Sequence, residues 1–237
     1  MQKLYVIGIG AGDPDQVTVQ AIKAMNRVDV FFVIGKGAEK QELVDLRTGI
    51  LDEHVHGEYQ VIEVADPPRD RRPDDYSGVV DDWHDRRAAL LGERFAEAAG
   101  DAGILVWGDP SLYDSTLRVL ERIGGVDYEV IPGITSVQAL AARHRIVLNR
   151  VGEPVHITTG RRLAQEEVTN SVVMLDGECG FTQVPGDIDI WWGAYLGMPD
   201  EVLISGKLRD VEDEIQDVRA RLRAAKGWIM DTYLLRR

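Results

Sequence analysis

Residues 4–14 have the sequence LYVIGIGAGDP, in which a short apolar run ends in a cluster of glycines. Leu4 to Ile9 is predicted to form a buried β-strand because its apolar residues are continuous. The glycines that follow allow a sharp turn and let the backbone approach a ligand closely. A helix is predicted over Gln16 to Arg27, with Asp15 as its N-cap. The segment therefore predicts a strand–turn–helix unit of an α/β fold.

The same alternation of strands and helices continues to about residue 149. Further strands are predicted over Val28–Ile34, Tyr59–Ala65, Gly103–Trp107 and Tyr128–Ile131. Further helices are predicted over Val79–Ala99, Leu112–Ile123 and Thr135–His144. A regular β-α-β-α succession is typical of a parallel or mostly parallel sheet, which we expect in this half of the chain.

The pattern changes after Asn149, where Gly152 and Pro154 interrupt the chain. Short strands are predicted over Val155–Thr159, Ser171–Leu175, Asp187–Trp192, Val202–Ser205 and Trp228–Leu234. Among them lie a weak helix near Leu163–Val168 and a strong one over Asp210–Ala225. Strands in close succession favour antiparallel pairing. We therefore predict two α/β domains, residues 1–149 and 150–237, the second with a mixed or antiparallel sheet.

Charge and composition exclude several classes of protein. Lys and Arg number 27 against 40 Asp and Glu, which gives a net charge of −13 and argues against nucleic-acid binding. Uncharged apolar runs such as Val30 to Gly35 are far shorter than the roughly 20 residues of a membrane helix. The single Cys179 fits a reducing cytoplasm. His54 and His56 lack a third ligand at a suitable spacing, so no metal site is predicted.

Two further glycine turns follow predicted strands and precede predicted helices. They are WGDPSLY at residues 107–113 and IPGITS at residues 131–136. Because open α/β sheets bind ligands beyond the carboxyl ends of their strands, we expect all the turns to meet at one ligand site. An acid at Asp109 suits a cationic amine, a sulfonium or ribose hydroxyls better than a phosphate.

A dinucleotide-binding protein is the alternative from a different class. The first glycine cluster partly matches the nicotinamide fingerprint of a Rossmann fold. Asp13 stands where the third glycine is needed, and the second strand ends in Ile34-Gly35-Lys36 without an acid for the ribose. An NAD(P)-binding protein therefore fits less well, although these residues alone leave it open.

The three turns resemble those of the tetrapyrrole methylase family, the methyltransferases of cobalamin and sirohaem biosynthesis. The matching segments are Gly8–Thr18, Gly108–Tyr113 and Pro132–Ser136, and their order and spacing agree with the family. The resemblance implies two α/β domains with S-adenosyl-L-methionine in the cleft between them. It also implies a homodimer and a polycarboxylate tetrapyrrole substrate.

The resemblance also implies which residues bind the cofactor. In the first domain they are Ala11, Gly108, Asp109, Leu112, Thr135 and Ser136. In the second domain they are Asp176, Gly177 and Gly197. Ala11 stands where the family usually has proline, and Asp176 where many relatives have methionine.

Four more features resemble one branch of the family. They are WHDRRA at 83–88, Trp107, MLDGE at 174–178 and WGAYLG at 192–197. The branch methylates C-1 of precorrin-5 and releases the C-20 acetyl group as acetate, which gives precorrin-6A. Another precorrin methylase, or an enzyme like diphthine synthase, stays open as an alternative.

Deacetylation needs an acid or base, and carboxylate recognition needs cations. Tyr113 and Asp114 are the candidate catalytic residues, with helix-start packing and capping as their alternative role. The candidate carboxylate-binding arginines are Arg69, Arg71, Arg72, Arg86 and Arg87. The charged, proline-rich loop over 66–76 is either a surface loop or a substrate-binding lid.

Overall fold

The computed structural model describes residues 1–35, 41–68 and 76–237. Its internal contacts divide the chain into two compact units. The first consists of Met1–Gly10 and Pro14–Ile134, and the second of Ala11–Asp13 and Thr135–Arg237. The domain boundary at residue 149 stays a prediction, which rests on Gly152 and Pro154 in the sequence.

The first unit is built on a parallel sheet. Its strands are β1 (Leu4–Gly8), β2 (Val30–Gly35), β3 (Gln60–Ala65), β4 (Ala102–Val106) and β5 (Tyr128–Ile131). They lie in the order β3-β2-β4-β1-β5, and every pair is parallel. β1 and β4 are buried along their whole length, as expected for strands covered on both faces. The predicted parallel sheet is confirmed.

Helices cover both faces of this sheet. They are α1 (Val19–Met25), α2 (Gln41–His54), α3 (Tyr76–Glu97) and α4 (Thr116–Ile123). Leu4, Val6 and Phe32 belong to one apolar cluster, together with residues of α3 and α4. Ile7 and Phe31 belong to a second cluster, together with residues of α1 and α2. The period of two along the strands therefore places alternate side chains in two separate cores.

The predicted helix starts were wrong at two places. Thr18 caps α1, since its hydroxyl accepts the Ala21 N–H at 3.1 Å, and Asp15 lies instead in a 3-10 turn. α4 begins at Thr116 rather than Leu112, with Ser115 as its N-cap, and the carboxylate of the preceding Asp114 accepts the Thr116 N–H at 2.6 Å. Polar side chains that bind free backbone N–H groups thus decide both helix starts.

The second unit contains a mixed sheet with one parallel pair. Its elements are α5 (Ser136–His144), β6 (His156–Thr159), α6 (Gly160–Leu163), β7 (Asn170–Met174), β8 (Asp189–Ala194), β9 (Val202–Lys207), α7 (Leu208–Lys226) and β10 (Asp231–Arg236). The strand order is β6-β7-β10-β8-β9, with β6 and β7 parallel and the other pairs antiparallel. The mixed sheet is as predicted, whereas the helix predicted over Leu163–Val168 is α6, which ends at Leu163.

A buried polar network connects α7 to this second sheet. Arg219 Nε donates to Asp231 Oδ2 at 2.9 Å, and Trp192 Nε1 donates to the same oxygen at 3.0 Å. The Arg219 guanidinium also donates to the Asp176 carbonyl, and the Tyr233 hydroxyl donates to Asp176 Oδ2 at 2.6 Å. Burial raises the pKa of Asp231 despite its arginine partner. The carboxylate therefore depends on these donors to stay charged inside the unit.

We predict that Arg219→Met lowers the free energy of unfolding by about 3–5 kcal/mol, because Asp231 would remain buried without its cation. The double variant Arg219→Met/Asp231→Asn removes the charge and keeps an acceptor for Trp192, so it should regain part of the loss. Urea denaturation of both variants measures the difference. A double variant less stable than Arg219→Met would contradict this account.

Candidate functional site

Three glycine turns meet at the carboxyl edge of the parallel sheet. Gly108 N donates to the Gly10 carbonyl at 2.7 Å, which pairs the turn after β4 with the turn after β1. A Cβ on Gly8 would lie 2.7 Å from both Gly108 O and Gly133 N. A Cβ on Gly133 would also collide with Gly108 O. The turns pack backbone against backbone, so side chains at Gly8 and Gly133 are excluded.

The carboxylate of Asp109 connects two of these turns. Its Oδ2 accepts the Gly133 N–H at 2.9 Å, and its Oδ1 accepts the Ser111 N–H at 2.8 Å and the Ser111 hydroxyl. Burial alone would raise the pKa of Asp109, but these hydrogen bonds outweigh it and hold the pKa below its ordinary value. Asp109 is therefore ionised at neutral pH and fixes a negative charge at this edge.

Such a site suits a ligand that carries positive charge or hydroxyl donors. A fixed carboxylate attracts a sulfonium or an ammonium group and accepts hydrogen bonds from ribose hydroxyls. It repels a phosphate placed at the same point. The electrostatics of the site thus agree with the ligand class that the Asp109 position predicted.

The other predicted residues of this turn are near Asp109. Gly108 has a φ of 64°, which favours glycine, and Leu112 N donates to the Asp109 carbonyl at 3.1 Å. Tyr113 was expected to start the helix but lies in the turn before α4, with a φ of 51° and 43% of its surface exposed. A bulky residue in the left-handed region is uncommon and occurs most often at functional sites.

Asp114 performs the capping role that was its alternative interpretation. Its charge also acts on Arg47 of α2: burial lowers the pKa of that guanidinium, and the charge of Asp114 offsets part of the effect. The capping contact occupies Oδ1 and leaves open whether the carboxylate also takes part in catalysis. A catalytic role for Asp114 stays a prediction.

In the second unit, Thr135 and Ser136 begin α5. Thr135 is the N-cap: its hydroxyl accepts the Val137 N–H at 3.1 Å and donates to the Gln138 side-chain carbonyl. The Ser136 hydroxyl lies 3.2 Å from the Thr232 hydroxyl. Both side chains therefore have partners inside the unit, and their cofactor contacts stay predictions.

Ala11 and Gly197 lie in segments of the second unit that pack together. Ala11 is buried, and Gly197, with a φ of 77°, would bring a Cβ within 2.7 Å of Asp13 N. A Cβ on Gly12 would lie 2.9 Å from the Leu196 carbonyl. The close approach of residues 11–13 to the turn after β8 thus explains why glycines occupy both segments.

Asp176 and Gly177 differ in their surroundings. The Asp176 carboxylate is enclosed, since Oδ1 accepts the Glu178 N–H at 3.0 Å and Oδ2 accepts the Gly180 N–H at 2.6 Å as well as the Tyr233 hydroxyl. Gly177 is exposed and faces open space. Asp176 therefore organises the turn after β7, and contacts of either residue with a cofactor stay predictions.

Arg47 was not among the predicted site residues, because α2 was not predicted. Leu43, Leu46, Ile50 and Leu51 recur at helical spacing in this segment and could have revealed the helix. Arg47 Cζ lies 5.1 Å from the centre of the Trp107 ring. Burial lowers the pKa of Arg47 to about 10, and the nearby charge of Asp114 offsets only part of that effect.

Two of the arginines singled out from the sequence, Arg86 and Arg87, lie among the described residues and have separate partners. Arg87 is buried, donates to Asp66 Oδ1 at 2.9 Å and to the Ser115 hydroxyl at 3.0 Å, and stacks on Trp83. Arg86 forms an exposed salt bridge with Asp82 at 2.9 Å. The predictions for Arg69, Arg71 and Arg72 lie outside the described residues, as does most of the 66–76 loop.

Histidines and carboxylates form no obvious metal centre in the part of the chain that the structure describes. The His54 ring instead lies near the Pro14 carbonyl, with Nε2 at 3.4 Å from the oxygen. His54 thus has a contact within the first unit, where it connects the end of α2 to the 3-10 turn before α1.

Comparison with known proteins adds three findings. The family model for Tetrapyrrole (Corrin/Porphyrin) Methylases matches residues 3–212. A curated relative, Precorrin-6A synthase [deacetylating] from Sinorhizobium sp., is 50% identical over 100% of this chain and 96% of its own length. A crystal structure of a cobalamin synthesis related protein (CobF) from Corynebacterium diphtheriae is 40% identical, with a TM-score of 0.87, and covers 100% of this chain and 98% of that one.

A more distant structure agrees in fold. Uroporphyrin-III C-methyl transferase from Thermus thermophilus, solved in complex with S-adenosyl homocysteine, has a TM-score of 0.62 at 18% identity and covers 99% of this chain and 92% of that one. The family model spans most of the chain, and the Sinorhizobium relative matches all of it. The chain therefore belongs to the tetrapyrrole (corrin/porphyrin) methylase family, whose members are methyltransferases.

Proposed function

We propose that this methylase transfers a methyl group from S-adenosylmethionine to C-1 of precorrin-5 and releases the C-20 acetyl group as acetate, which forms precorrin-6A. The observation that carries the proposal is the 50% identity to Precorrin-6A synthase [deacetylating] over the whole chain. The 40% identity to CobF supports the same assignment. Other precorrin methylases resemble this chain less closely along its length, for example at 22% identity over 98% of the chain.

The first unit offers a suitable site for the methyl donor. S-adenosylmethionine supplies an electrophilic methyl group on a sulfonium and carries an ammonium group and ribose hydroxyls. The ionised Asp109 stabilises such positive charge or accepts hydroxyl donors, and the glycine turns let a ligand lie directly against the backbone. In a displacement at the methyl carbon the protein mainly aligns donor and acceptor, so no nucleophilic side chain is needed.

Deacetylation makes a different demand. Water adds to the acetyl carbon, the bond to C-20 breaks, its electron pair passes into the macrocycle and acetate leaves. An acid or base must move protons during these events. Tyr113 is exposed beside the Asp109 turn, and its phenolic hydroxyl can donate or accept a proton. We therefore propose Tyr113 as the acid–base residue, with Asp114 as the second candidate.

The experiment that tests the proposed function is incubation with enzymatically made precorrin-5 and S-adenosylmethionine. Mass spectrometry should detect a product that has gained one methyl group and lost one acetyl group, with one acetate released per turnover. Methylation without acetate release would assign the chain to another step of the pathway.

Asp109→Asn should weaken binding of S-adenosylhomocysteine about tenfold or more, because the variant loses the charge and one acceptor that hold the turn. Isothermal titration calorimetry measures this change. Asp101→Asn is the matched control, since Asp101 accepts the Lys3 N–H at 3.2 Å before β4 begins, away from the glycine turns. Equal affinities of the two variants would remove Asp109 from the cofactor site.

The same carboxylate predicts a dependence of stability on pH. Because hydrogen bonds lower the pKa of Asp109 in the folded protein, they stabilise the fold above the ordinary aspartate pKa of about 4. This contribution is lost as the pH falls through the lowered pKa. Asp109→Asn should therefore flatten the acid limb of the curve of melting temperature against pH, and an unchanged curve would contradict the assignment.

Tyr113→Phe should retain methyl transfer and slow acetate release by about 10²-fold, the usual effect of losing an acid–base group. Incorporation of labelled methyl and formation of acetate are measured in one reaction. Phe preserves the size of the ring, so the strained turn should keep its shape. Equal slowing of both steps would mean that Tyr113 only shapes the site, and Asp114→Asn is then tested on the same two readouts.

Homodimer formation and a cytoplasmic location complete the proposal. The homodimer rests on the family, and the cytoplasmic location rests on the single cysteine, which fits a reducing compartment. Every helix in the described ranges is too short or too polar to cross a lipid bilayer. Light scattering coupled to size-exclusion chromatography should give about twice the 26.4 kDa mass of one chain, and a single-chain mass would contradict the dimer.

A further inference from the structure

Arg47 is a cation of the first unit that has no anionic partner among the residues that the structure describes. Its Nη1 donates to the Leu43 carbonyl, one turn earlier in α2, at 3.1 Å. Within residues 1–35, 41–68 and 76–237 Arg47 forms no salt bridge, and the carboxylate of Asp114 acts on it only from a distance. A guanidinium has five N–H donors, so most of its capacity for hydrogen bonds is unused.

The pKa of Arg47 reflects the unfavourable burial of its charge. Burial lowers the pKa of Arg47 to about 10, which means that its surroundings disfavour the charge. Part of the side chain nevertheless remains open to solvent. A desolvated guanidinium that a ligand can still reach binds carboxylates more strongly than one in water does, because the local dielectric is lower.

Trp107 holds the guanidinium in place. The two groups are 5.1 Å apart, within the range of a cation–π contact. The Trp107 ring nitrogen is itself buried without a hydrogen-bond partner in the described residues. Trp107 directly precedes the Gly108–Asp109 turn, and the ring packs against the core beside α1 and α2. The stack therefore lies at the same edge of the sheet as Asp109.

The course of α2 agrees with this placement. The helix follows β2 and so begins on the side of the sheet where the strands end. Helical side chains lean towards the N-terminus of their helix, which directs Arg47 towards the carboxyl edge. The Leu43 carbonyl, which accepts from Arg47 Nη1, lies in the same direction.

We propose that Arg47, stacked on Trp107, is a binding site for a carboxylate of the tetrapyrrole substrate. The identity of that substrate rests on the proposed function, whereas the need for an anion rests on the geometry of Arg47. A planar guanidinium held against an aromatic face presents parallel N–H groups that fit a carboxylate in two hydrogen bonds.

Arg87 of the same unit shows how a structural arginine differs. It too stacks on a tryptophan, with Cζ 4.1 Å from the ring centre of Trp83. Its guanidinium, however, has Asp66 and the Ser115 hydroxyl as partners. Arg87 thus completes a buried set of contacts, whereas Arg47 has an equivalent stack and lacks the carboxylate.

Arg47→Gln and Arg47→Lys test the proposal. Arg47→Gln should raise the KM for precorrin-5 about 10- to 100-fold, since hydrogen bonds to charged groups contribute about 1.5–3 kcal/mol. The affinity for S-adenosylhomocysteine should stay unchanged and kcat should change little. Arg47→Lys keeps the charge without the planar fork, so its KM should lie between those of the wild type and Arg47→Gln.

Stability separates a binding role from a structural one. Removing an unpaired buried charge should leave the melting temperature of Arg47→Gln unchanged or higher. Arg87→Gln should lower it, because Asp66 would lose its buried partner. Arg94→Gln is the control for net charge, since the salt bridge between Arg94 and Glu97 is exposed. A lower melting temperature of Arg47→Gln with an unchanged KM would make Arg47 structural and overturn the proposal.

A second probe keeps this test independent of the proposed function. Uroporphyrin III is a stable tetrapyrrole with many carboxylates, and its binding can be measured by fluorescence. If the wild type fails to methylate precorrin-5, the proposed function is wrong, but weaker uroporphyrin binding by Arg47→Gln than by Arg94→Gln still supports the subsite. Equal binding of this probe, or an unchanged KM for precorrin-5, overturns it.

Discussion

The close approach of three backbone turns is the constraint on which the candidate site depends. Gly8, Gly108 and Gly133 lie so near one another that a Cβ at Gly8 or Gly133 would collide with neighbouring backbone. The Gly133 N–H, which faces this crowded region, is satisfied by Asp109 Oδ2 at 2.9 Å. One carboxylate therefore joins the turns after β4 and β5 and also supplies the charge of the site. Because a single side chain serves packing and electrostatics together, the shape of the turn and its preference for cationic ligands cannot be varied independently.

Sequence periodicity was sufficient to predict a parallel sheet in the first half of the chain and a mixed sheet in the second half. Continuous apolar runs such as Leu4–Gly8 correctly indicated buried parallel strands, and short strands after residue 149 correctly indicated a mixed sheet. Helix starts were less predictable, because they depend on which nearby side chain binds the free N–H groups. Thr18, not Asp15, accepts a free N–H of α1. The Asp114 carboxylate accepts the N–H of Thr116, where α4 begins. Tyr113 therefore lies in the turn before the helix, with a positive φ, and the spacing of residues in the sequence does not reveal this position.

The candidate site residues also differ in whether the sequence could reveal them. Asp109 could be recognised from sequence because its motif follows a strand and precedes a helix, and because the family resemblance selects it. Arg47 could not be recognised, since nothing about its neighbours in the chain shows that its guanidinium reaches Trp107, 60 positions later in the sequence (107 − 47 = 60). Asp176 shows what a resemblance leaves out: its contact with the cofactor stays a prediction, whereas the hydrogen bonds that its carboxylate accepts from Gly180, Glu178 and Tyr233 could be seen only in the structure. A family resemblance predicts which residue lies at a site. The hydrogen-bond partners of its polar side chain depend on the three-dimensional packing around it.

The net charge of the protein is negative, whereas the charge of Arg47 is positive. Burial explains how a negatively charged protein can still bind a carboxylate at Arg47. A chain with a net charge of −13 should repel a substrate rich in carboxylates at long range. Salt screens that repulsion over about 8–10 Å, whereas a partly buried cation is screened far less. An arginine that stacks on Trp107 and has no counter-ion among the described residues therefore acts at short range, where the overall field matters little. The same burial that lowers the pKa of Arg47 makes a carboxylate its most favourable partner, so a cation that weakens the fold can strengthen recognition.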